Sequence, residues 1–159
     1  MVVLIPCHSF YPAQEGGSSN ALYWLATGLA KVGINVHVIT TNRNISSGQV
    51  VENIWTRFNN FDVEYASIDK QGLYLKEEIE KCDILIANGV FSIRNIRLNR
   101  RALCLAKKVI LSPRGELLDS AVKYIRELYV MGQHNCLNVD RLPRNTVSFA
   151  QRKEYRHSA

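Results

Sequence analysis

Several patterns that would assign a function directly are absent from this 159-residue sequence. No apolar run approaches the roughly 18 residues that a membrane-spanning helix needs. The opening residues "MVVLIPCHSF" have neither a basic leader nor a small-residue cleavage site. The sequence also has no G-x-G-x-x-G after its first apolar run, no G-x-x-x-x-G-K-[ST] and no G-x-S-x-G. These absences disfavour nicotinamide-dependent dehydrogenases and epimerases, P-loop NTPases and α/β-hydrolases.

Cysteine is scarce and widely spaced. The four cysteines are Cys7, Cys82, Cys104 and Cys136, and no two of them form a C-x-x-C pair. A free thiol within an apolar segment behaves as a small hydrophobic side chain. Because no export signal is present, we expect a reduced, cytoplasmic protein.

The charge balance is basic, with a formal net charge of +6 and a pI of about 9.3. Hydrophobic residues make up 47% of the chain and charged residues 21%, which is typical of a folded domain. A basic surface favours anionic partners such as phosphates, nucleotides or an anionic membrane. No zinc-finger spacing or RNA-recognition signature is present, so nucleic acid is not expected as a partner.

Apolar runs alternate with amphipathic segments along the whole chain. The patterns predict strands at 2–6, 35–40, 63–68, 83–88, 109–113 and 146–150. They predict helices at 18–32, 73–82, 93–108 and 117–132, and a hairpin or a long loop within 41–60. Strands that alternate with helices form a parallel sheet covered on both faces. The expected fold is therefore α/β, a Rossmann-like, doubly wound, mainly parallel sheet.

Gly16 and Gly17 stand between the first predicted strand and the first predicted helix. Ligands of such folds bind beyond the carboxyl ends of the strands, and a helix N-terminus there favours a phosphate. Glycine lets the backbone approach an anion without a Cβ between them. The alternative is a flexible connection that needs glycine only for its turn.

Four segments of the chain together have the pattern of a known family. The first is "FYPAQEGGSSNALYWLATGLAKVGINVHVITTN", with a strand-to-helix loop that contains Gly-Gly, a helix and a second strand. The others are "CDILIANGVFS", "VILSPRGELLDSAVKY" and "TVSFAQRKEYRHSA". In this order they resemble the N-terminal domain of the family 4 retaining glycosyltransferases of GT-B type, and the resemblance covers nearly the whole chain.

The resemblance implies particular roles for residues of this chain. Gly16, Gly17 and Ser18 would contact the phosphates of a nucleotide-sugar donor. An acceptor or sugar would be bound by His8, Tyr11, Asn88 and Arg114. Asn88 stands where many members have a histidine that contacts the transferred sugar, so the catalytic residue stays unassigned. The residues alone leave simpler roles open: a loop residue for His8, a turn for Asn88-Gly89 and a surface position for Arg114.

The resemblance further implies that residues 1–159 form a single acceptor-side domain, without the C-terminal donor-binding domain. The full enzyme would move a hexose from a nucleotide-sugar to a glycan or lipid-linked acceptor, with no metal and no other cofactor. This chain alone is expected to transfer no sugar, because half a cleft cannot position donor against acceptor. The alternative is a non-catalytic, doubly wound module that binds a phosphorylated ligand or a partner protein.

Two further expectations concern helix faces. Helical spacing over 93–108 places Arg94, Arg97, Arg101 and Lys108 on one face. That face is either solvated or attracted to an anionic membrane, which would locate the protein peripherally at the inner membrane face. Trp24, in the first helix, is expected in the core.

Overall fold

The computed structural model describes residues 1–13, 16–89, 92–114 and 147–149. Within these ranges, the chain forms ten elements. The strands are β1 (Val2–Pro6), β2 (Asn35–Thr41), β3 (Trp55–Phe58), β4 (Phe61–Ala66), β5 (Ile84–Asn88), β6 (Lys108–Ser112) and β7 (Val147–Phe149). The helices are α1 (Gly16–Lys31), α2 (Gln71–Lys81) and α3 (Ile93–Cys104).

The described strands belong to one sheet with the order β3-β4-β2-β1-β5-β6-β7. Every neighbouring pair is parallel except β3 and β4, which form an antiparallel hairpin at one edge. Counted along the chain, the six parallel strands have the order 3-2-1-4-5-6 of the Rossmann fold. The predicted Rossmann-like α/β fold is confirmed, and the segment 41–60 contains the first strand of the hairpin.

The sheet separates two hydrophobic cores, because successive residues of a strand point to opposite faces. On one face, Leu22 and Ala26 of α1 belong to the same core cluster as Val3 of β1. On the other face, α2 and α3 contribute to a second cluster that includes Leu4 of β1. The other buried members of this second cluster are Ile39, Leu75, Ile79, Cys82, Leu85, Ala102 and Val109.

Most predicted elements agree with the structure to within a few residues. α1 begins two residues before the predicted start at 18, and β4 spans 61–66 where 63–68 was expected. α1 ends in a Schellman motif, in which the Ile34 amide donates to Leu29 O and the Gly33 amide to Ala30 O. Gly33 has a φ of 82°, which is the left-handed conformation that glycine accepts most readily. The predicted helix at 117–132 lies outside the described residues.

The expectation that Trp24 is a core residue is wrong. Its side chain is 66% exposed. Leu22 and Ala26 form the buried stripe of α1, and Trp24 lies about 200° around the helix from Leu22. Trp24 instead packs against the neighbouring Tyr23, with ring centroids 5.2 Å apart.

A cluster of titratable side chains lies between α2 and the strands β2 and β4, and its carboxylates Glu64 and Glu78 are buried. Glu78 accepts hydrogen bonds from Lys81 Nζ at 2.7 Å and pairs with His37 Nδ1 at 2.9 Å. Burial alone would raise the pKa of Glu78, but these two partners lower it. Glu64 is 1% exposed, and its Oε2 has no hydrogen-bond partner among the described residues. Burial and the nearby Glu78 and Glu77 carboxylates raise the pKa of Glu64 to about 7.

The C-terminus of α3 has the same motif as α1 without a glycine. The Lys107 amide donates to Ala102 O and the Ala106 amide to Leu103 O, and Ala106 has a φ of 55°. An alanine is strained in this left-handed conformation because its Cβ approaches the following carbonyl oxygen.

We therefore expect Ala106→Gly to raise the free energy of unfolding by about 1 kcal/mol. Urea denaturation of the two proteins measures the difference. Ala102→Gly, a buried position within α3, is the control and should destabilise the protein. A loss of stability in Ala106→Gly would contradict the assigned helix end.

Among the described cysteines, Cys7, Cys82 and Cys104 are free, and only Cys104 is exposed. Burial raises the pKa of the Cys7 thiol to about 12, so this thiol stays protonated at neutral pH. Within the described ranges, no helix combines the length and apolarity that crossing a membrane requires.

Candidate functional site at the carboxyl edge of the sheet

The parallel strands end together at one edge of the sheet, here called the carboxyl edge. From β1 the chain continues through α1 to β2 on one side, whereas β5 continues through α3 to β6 on the other side. The strand order therefore reverses between the neighbours β1 and β5. In folds of this type, the crevice outside such a reversal is where ligands bind.

The loop after β1 is held in place through its own carbonyl groups. Three side chains from other elements donate to them: Gln71 Nε2 to Cys7 O at 3.0 Å, Thr41 Oγ1 to His8 O at 2.6 Å, and the Tyr65 hydroxyl to Tyr11 O. Burial raises the pKa of Tyr65 above its usual range, so its hydroxyl keeps the proton that it donates. The loop is therefore a fixed wall of the carboxyl edge.

Phe10 anchors this loop from below. Its side chain is fully buried and meets the ring of Phe61 edge to face, with centroids 6.0 Å apart. The ring of Tyr23, from α1, lies 6.4 Å away. Phe10 thus joins the loop, the hairpin and α1 in one aromatic contact.

Gly16, Gly17 and Ser18 form the first turn of α1, at the carboxyl edge as predicted. Gly17 has no positive φ, and a Cβ added there would meet no atom within 4 Å. Neither a turn nor close packing with the described residues therefore requires glycine at position 17. The first amides of a helix have no intrahelical acceptor, and this turn contains no acidic side chain. Ser19 is buried and ties the helix to the loop through Ser9, with 3.0 Å between the hydroxyl oxygens.

A cavity of about 810 Å³ opens between this loop, α1 and the segment after β2. None of the described residues that line it is charged. The lining residues are Tyr11, Pro12, Ala13, Asn20, Asn44, Ser46 and Gln49. Tyr11 is 45% exposed, and its ring packs 5.3 Å from that of Tyr23. The walls thus offer amide and hydroxyl groups beside one aromatic ring.

Asn88 and Arg114 are in direct contact at the ends of β5 and β6. Arg114 Nε donates to Asn88 Oδ1 at 2.6 Å, and partial burial lowers the pKa of this guanidinium. The buried Asn95 holds the turn after β5, because its Nδ2 donates to the carbonyl groups of Asn88 and Gly89 at 2.7 and 2.9 Å. Gly89 has a φ of 91°, consistent with the predicted Asn-Gly turn.

The predicted site residues therefore occupy two places along one edge. Tyr11 lies with the first turn of α1 beside the cavity, whereas Asn88 and Arg114 lie beyond β1 on the side of β5 and β6. No hydrogen bond or ion pair between described residues joins the two places. His8 has an exposed side chain, and its backbone carbonyl is the group that binds Thr41.

The expectation of one basic face over 93–108 is wrong. α3 ends at Cys104, and Lys108 belongs to β6. Arg101 pairs with Glu80 of α2, and Arg97 is exposed. Arg94 is half-buried and points toward Gln71. The expected contact with an anionic membrane is therefore no longer supported by a basic helix face.

The sequence pattern missed the contact between Arg94 and Gln71 and the amide-lined cavity. Gln71 reaches Cys7, which is 64 residues earlier in the chain, so no local signal links them. Asn20 belongs to α1, whereas Asn44 and Gln49 follow β2, so these amides converge only in the fold. A search of the described residues finds no group of three or more His, Cys, Asp or Glu side chains that could hold a metal ion.

Comparisons with known proteins assign neither a family nor an activity to this chain. No protein-family model matches the sequence, and no curated protein matches it. Among solved structures, the chain is similar to the S. aureus homoserine dehydrogenase determined at pH 6.0, with a TM-score of 0.38 and 13% identity. The alignment covers 82% of this chain and 30% of that chain. A likeness at this level assigns no activity, and the fold assignment depends on the strand order described above.

Proposed function

We propose that this chain is the acceptor-side domain of a retaining glycosyltransferase that moves a hexose from a nucleotide-sugar to a glycan or lipid-linked acceptor. One observation carries the proposal. The first turn of α1 and the cavity share a face of the same helix, because Asn20 follows Gly16 by four residues and lines the cavity. This turn has no acidic side chain, and the described lining residues of the cavity are uncharged.

The first turn of α1 suits the diphosphate of a donor. Its amides carry the positive end of the helix dipole, and no side chain at Gly16 or Gly17 keeps an anion away. The open space around Gly17 leaves room for a phosphate to approach the backbone. Gly17 lowers the intrinsic helix propensity at its position, and access for a ligand accounts for its presence.

The cavity suits a neutral saccharide. Amide and hydroxyl side chains donate and accept hydrogen bonds, as sugar hydroxyls require. The half-exposed ring of Tyr11 provides an apolar surface for a sugar face. Since none of the described lining residues is charged, a neutral sugar leaves no charge of theirs buried and unpaired.

The chemistry expected of such an enzyme is largely electrostatic. The bond between the anomeric carbon and the donor phosphate breaks, a bond from that carbon to the acceptor oxygen forms, and the acceptor proton passes to the departing diphosphate. Negative charge grows on the diphosphate during this step. Amides fixed at the start of α1 would stabilise that charge without having to reorganise.

The clearest test replaces Gly17 by glutamate. A carboxylate in the first turn repels a diphosphate and yet favours the helix. We expect Gly17→Glu to weaken binding of uridine diphosphate by about tenfold, which corresponds to about 1.4 kcal/mol. Isothermal titration calorimetry of the 159-residue chain measures the affinity, with uridine as the ligand that lacks phosphate. The melting temperature should stay the same or rise.

Gly28→Glu is the matched control. Gly28 is exposed on α1, and a Cβ there also meets no atom within 4 Å. It lies 11 residues further on, about 16 Å along the helix and beyond the Debye length in physiological salt. Equal affinities for uridine diphosphate in the wild type and in Gly17→Glu would exclude a phosphate contact at this turn.

A second candidate function is a binding module without transfer activity. The position of Asn88 favours it, because Asn88 Oδ1 is occupied by Arg114 Nε and an asparagine side chain does not take up a proton near neutral pH. Release of a nucleoside diphosphate that depends on an added saccharide would favour the transferase. Binding without such release, in a chain that includes any further domain, would favour the module.

A further inference from the structure

Arg94 lies in the first turn of α3, at the point where the strand order reverses. Its side chain turns back from the helix start, as helical side chains do, and Nη1 donates to Gln71 Oε1 at 2.6 Å. Gln71 is 6% exposed and donates in turn to the carbonyl of Cys7, directly after β1. A chain of two hydrogen bonds therefore fixes the guanidinium beside the crevice between β1 and β5.

The surroundings of this guanidinium are unfavourable for a cation. The side chain is half-buried, and Nε is buried with no hydrogen-bond partner among the described residues. No carboxylate of the described chain forms an ion pair with Arg94, and burial lowers its pKa. It also lies at the positive end of α3, whose first turn contains no acidic residue.

The start of α3 is itself without a side-chain cap. Ser92 occupies the N-cap position, but its hydroxyl makes no capping hydrogen bond. The first intrahelical bond of this helix comes from the amide of Ile96 to Ser92 O. The amides of Ile93, Arg94 and Asn95 therefore have no intrahelical acceptor.

We propose that Arg94 and the uncapped first turn of α3 bind an oxyanion, a phosphate or carboxylate group of a ligand in the crevice between β1 and β5. An oxyanion there would accept from the guanidinium and from the amides of the first turn together. It would also neutralise the half-buried charge. Gln71 is the positioning residue, because it holds the guanidinium through Nη1 and leaves Nη2 to the ligand.

This site is distinct from the saccharide cavity and the first turn of α1. It does not depend on the proposed function, since a module without transfer activity could use it equally. If the glycosyltransferase proposal holds, the site predicts that a substrate bears an anionic group in addition to the donor diphosphate at α1. The basic net charge of +6 would assist the approach of such a ligand.

The test uses inorganic phosphate, with acetate as a second arm, in place of chloride at constant ionic strength. In ¹H–¹⁵N spectra of the 159-residue chain, we expect the amides of residues 93–95 to shift on titration. Amide shifts with phosphate alone would show that the site selects a phosphate group. Shifts with both phosphate and acetate would show that it binds either kind of oxyanion. Unchanged amides at 93–95 with both anions would overturn the proposal.

Substitutions test whether the Arg94 side chain binds the phosphate. We expect Arg94→Met to lose phosphate affinity by about tenfold or more, as for a charged hydrogen bond. Arg94→Lys should retain part of the affinity, because a lysine keeps the charge without the forked geometry. Arg97→Met, an exposed position on the same helix, is the matched control and should bind as the wild type does.

Two comparisons keep the result interpretable. Gly17→Glu should still show the shifts at 93–95, so the site can be confirmed even if the α1 proposal fails. Should Arg94→Met fold poorly, Arg94→Lys and the wild-type shifts decide the question. An affinity of folded Arg94→Met within twofold of the wild type would overturn the role of Arg94.

Discussion

Replacing Phe10 by alanine is expected to lower the free energy of unfolding by about 3–5 kcal/mol. The ring is fully buried and lies 6.0 Å from Phe61 and 6.4 Å from Tyr23. Its removal leaves a cavity where the loop, the hairpin and α1 meet, and fixed neighbours fill such a cavity only in part. The same substitution should disturb the wall that carries Tyr11.

Urea denaturation of Phe10→Ala and Tyr11→Ala provides a direct comparison between adjacent aromatic residues. Tyr11 is 45% exposed, and its backbone carbonyl still accepts from Tyr65 after the substitution. We expect a loss of about 1 kcal/mol or less for Tyr11→Ala. Similar losses in the two variants would show that Phe10 does not anchor the loop.

Replacing Glu64 by glutamine is expected to stabilise the protein by about 2 kcal/mol at pH 8. The Glu64 carboxyl is buried beside Glu78, and its Oε2 has no partner among the described residues. Ionisation there is therefore costly. Glutamine has nearly the same shape and carries no charge, so it removes that cost.

The pH dependence follows from the raised pKa of Glu64. This carboxyl has a pKa of about 7 in the folded chain and near 4.5 when unfolded. Between these values, the folded state keeps a proton that the unfolded state has released. The contribution of Glu64 to stability therefore falls as the pH rises from about 4.5 to 7, and it stays low above pH 7.

Denaturation at several pH values between 5 and 8 tests this dependence. The stability difference between Glu64→Gln and the wild type should grow with pH and then level off. Glu78 is present in both proteins, so its own titration contributes little to the difference. Glu52→Gln, at an exposed position between β2 and β3, is the control and should follow the wild type. A difference that does not change with pH would refute the assignment.

The sequence predicted most strands and helices of this protein because local patterns determine them. The continuous apolar runs at 2–6 and 83–88 indicate strands buried on both faces, and Gly33 marks the end of α1. The alternation of the elements then implies a parallel sheet, and the carboxyl edge follows from it. The location of Gly16 and Gly17 at that edge could be predicted for the same reason.

The errors came from contacts that no local pattern encodes. The spacing rule that grouped Arg94 with Lys108 holds only while one helix continues, and the left-handed Ala106 ends α3 between them. Trp24 is hydrophobic, but the buried stripe of α1 passes through Leu22 and Ala26. The sequence could not predict the hydrogen bond of Arg94, because its partner Gln71 lies 23 residues away along the chain.

Phe10 has a consequence for how such a protein could change its ligand. The segment between β1 and α1 provides much of the cavity wall, and yet its fourth residue belongs to the hydrophobic interior. Its exposed positions could diversify in evolution, or be exchanged by grafting, while the sheet remains unaltered. A grafted segment would need an aromatic ring at that fourth position, since otherwise a new specificity would come at the expense of folding.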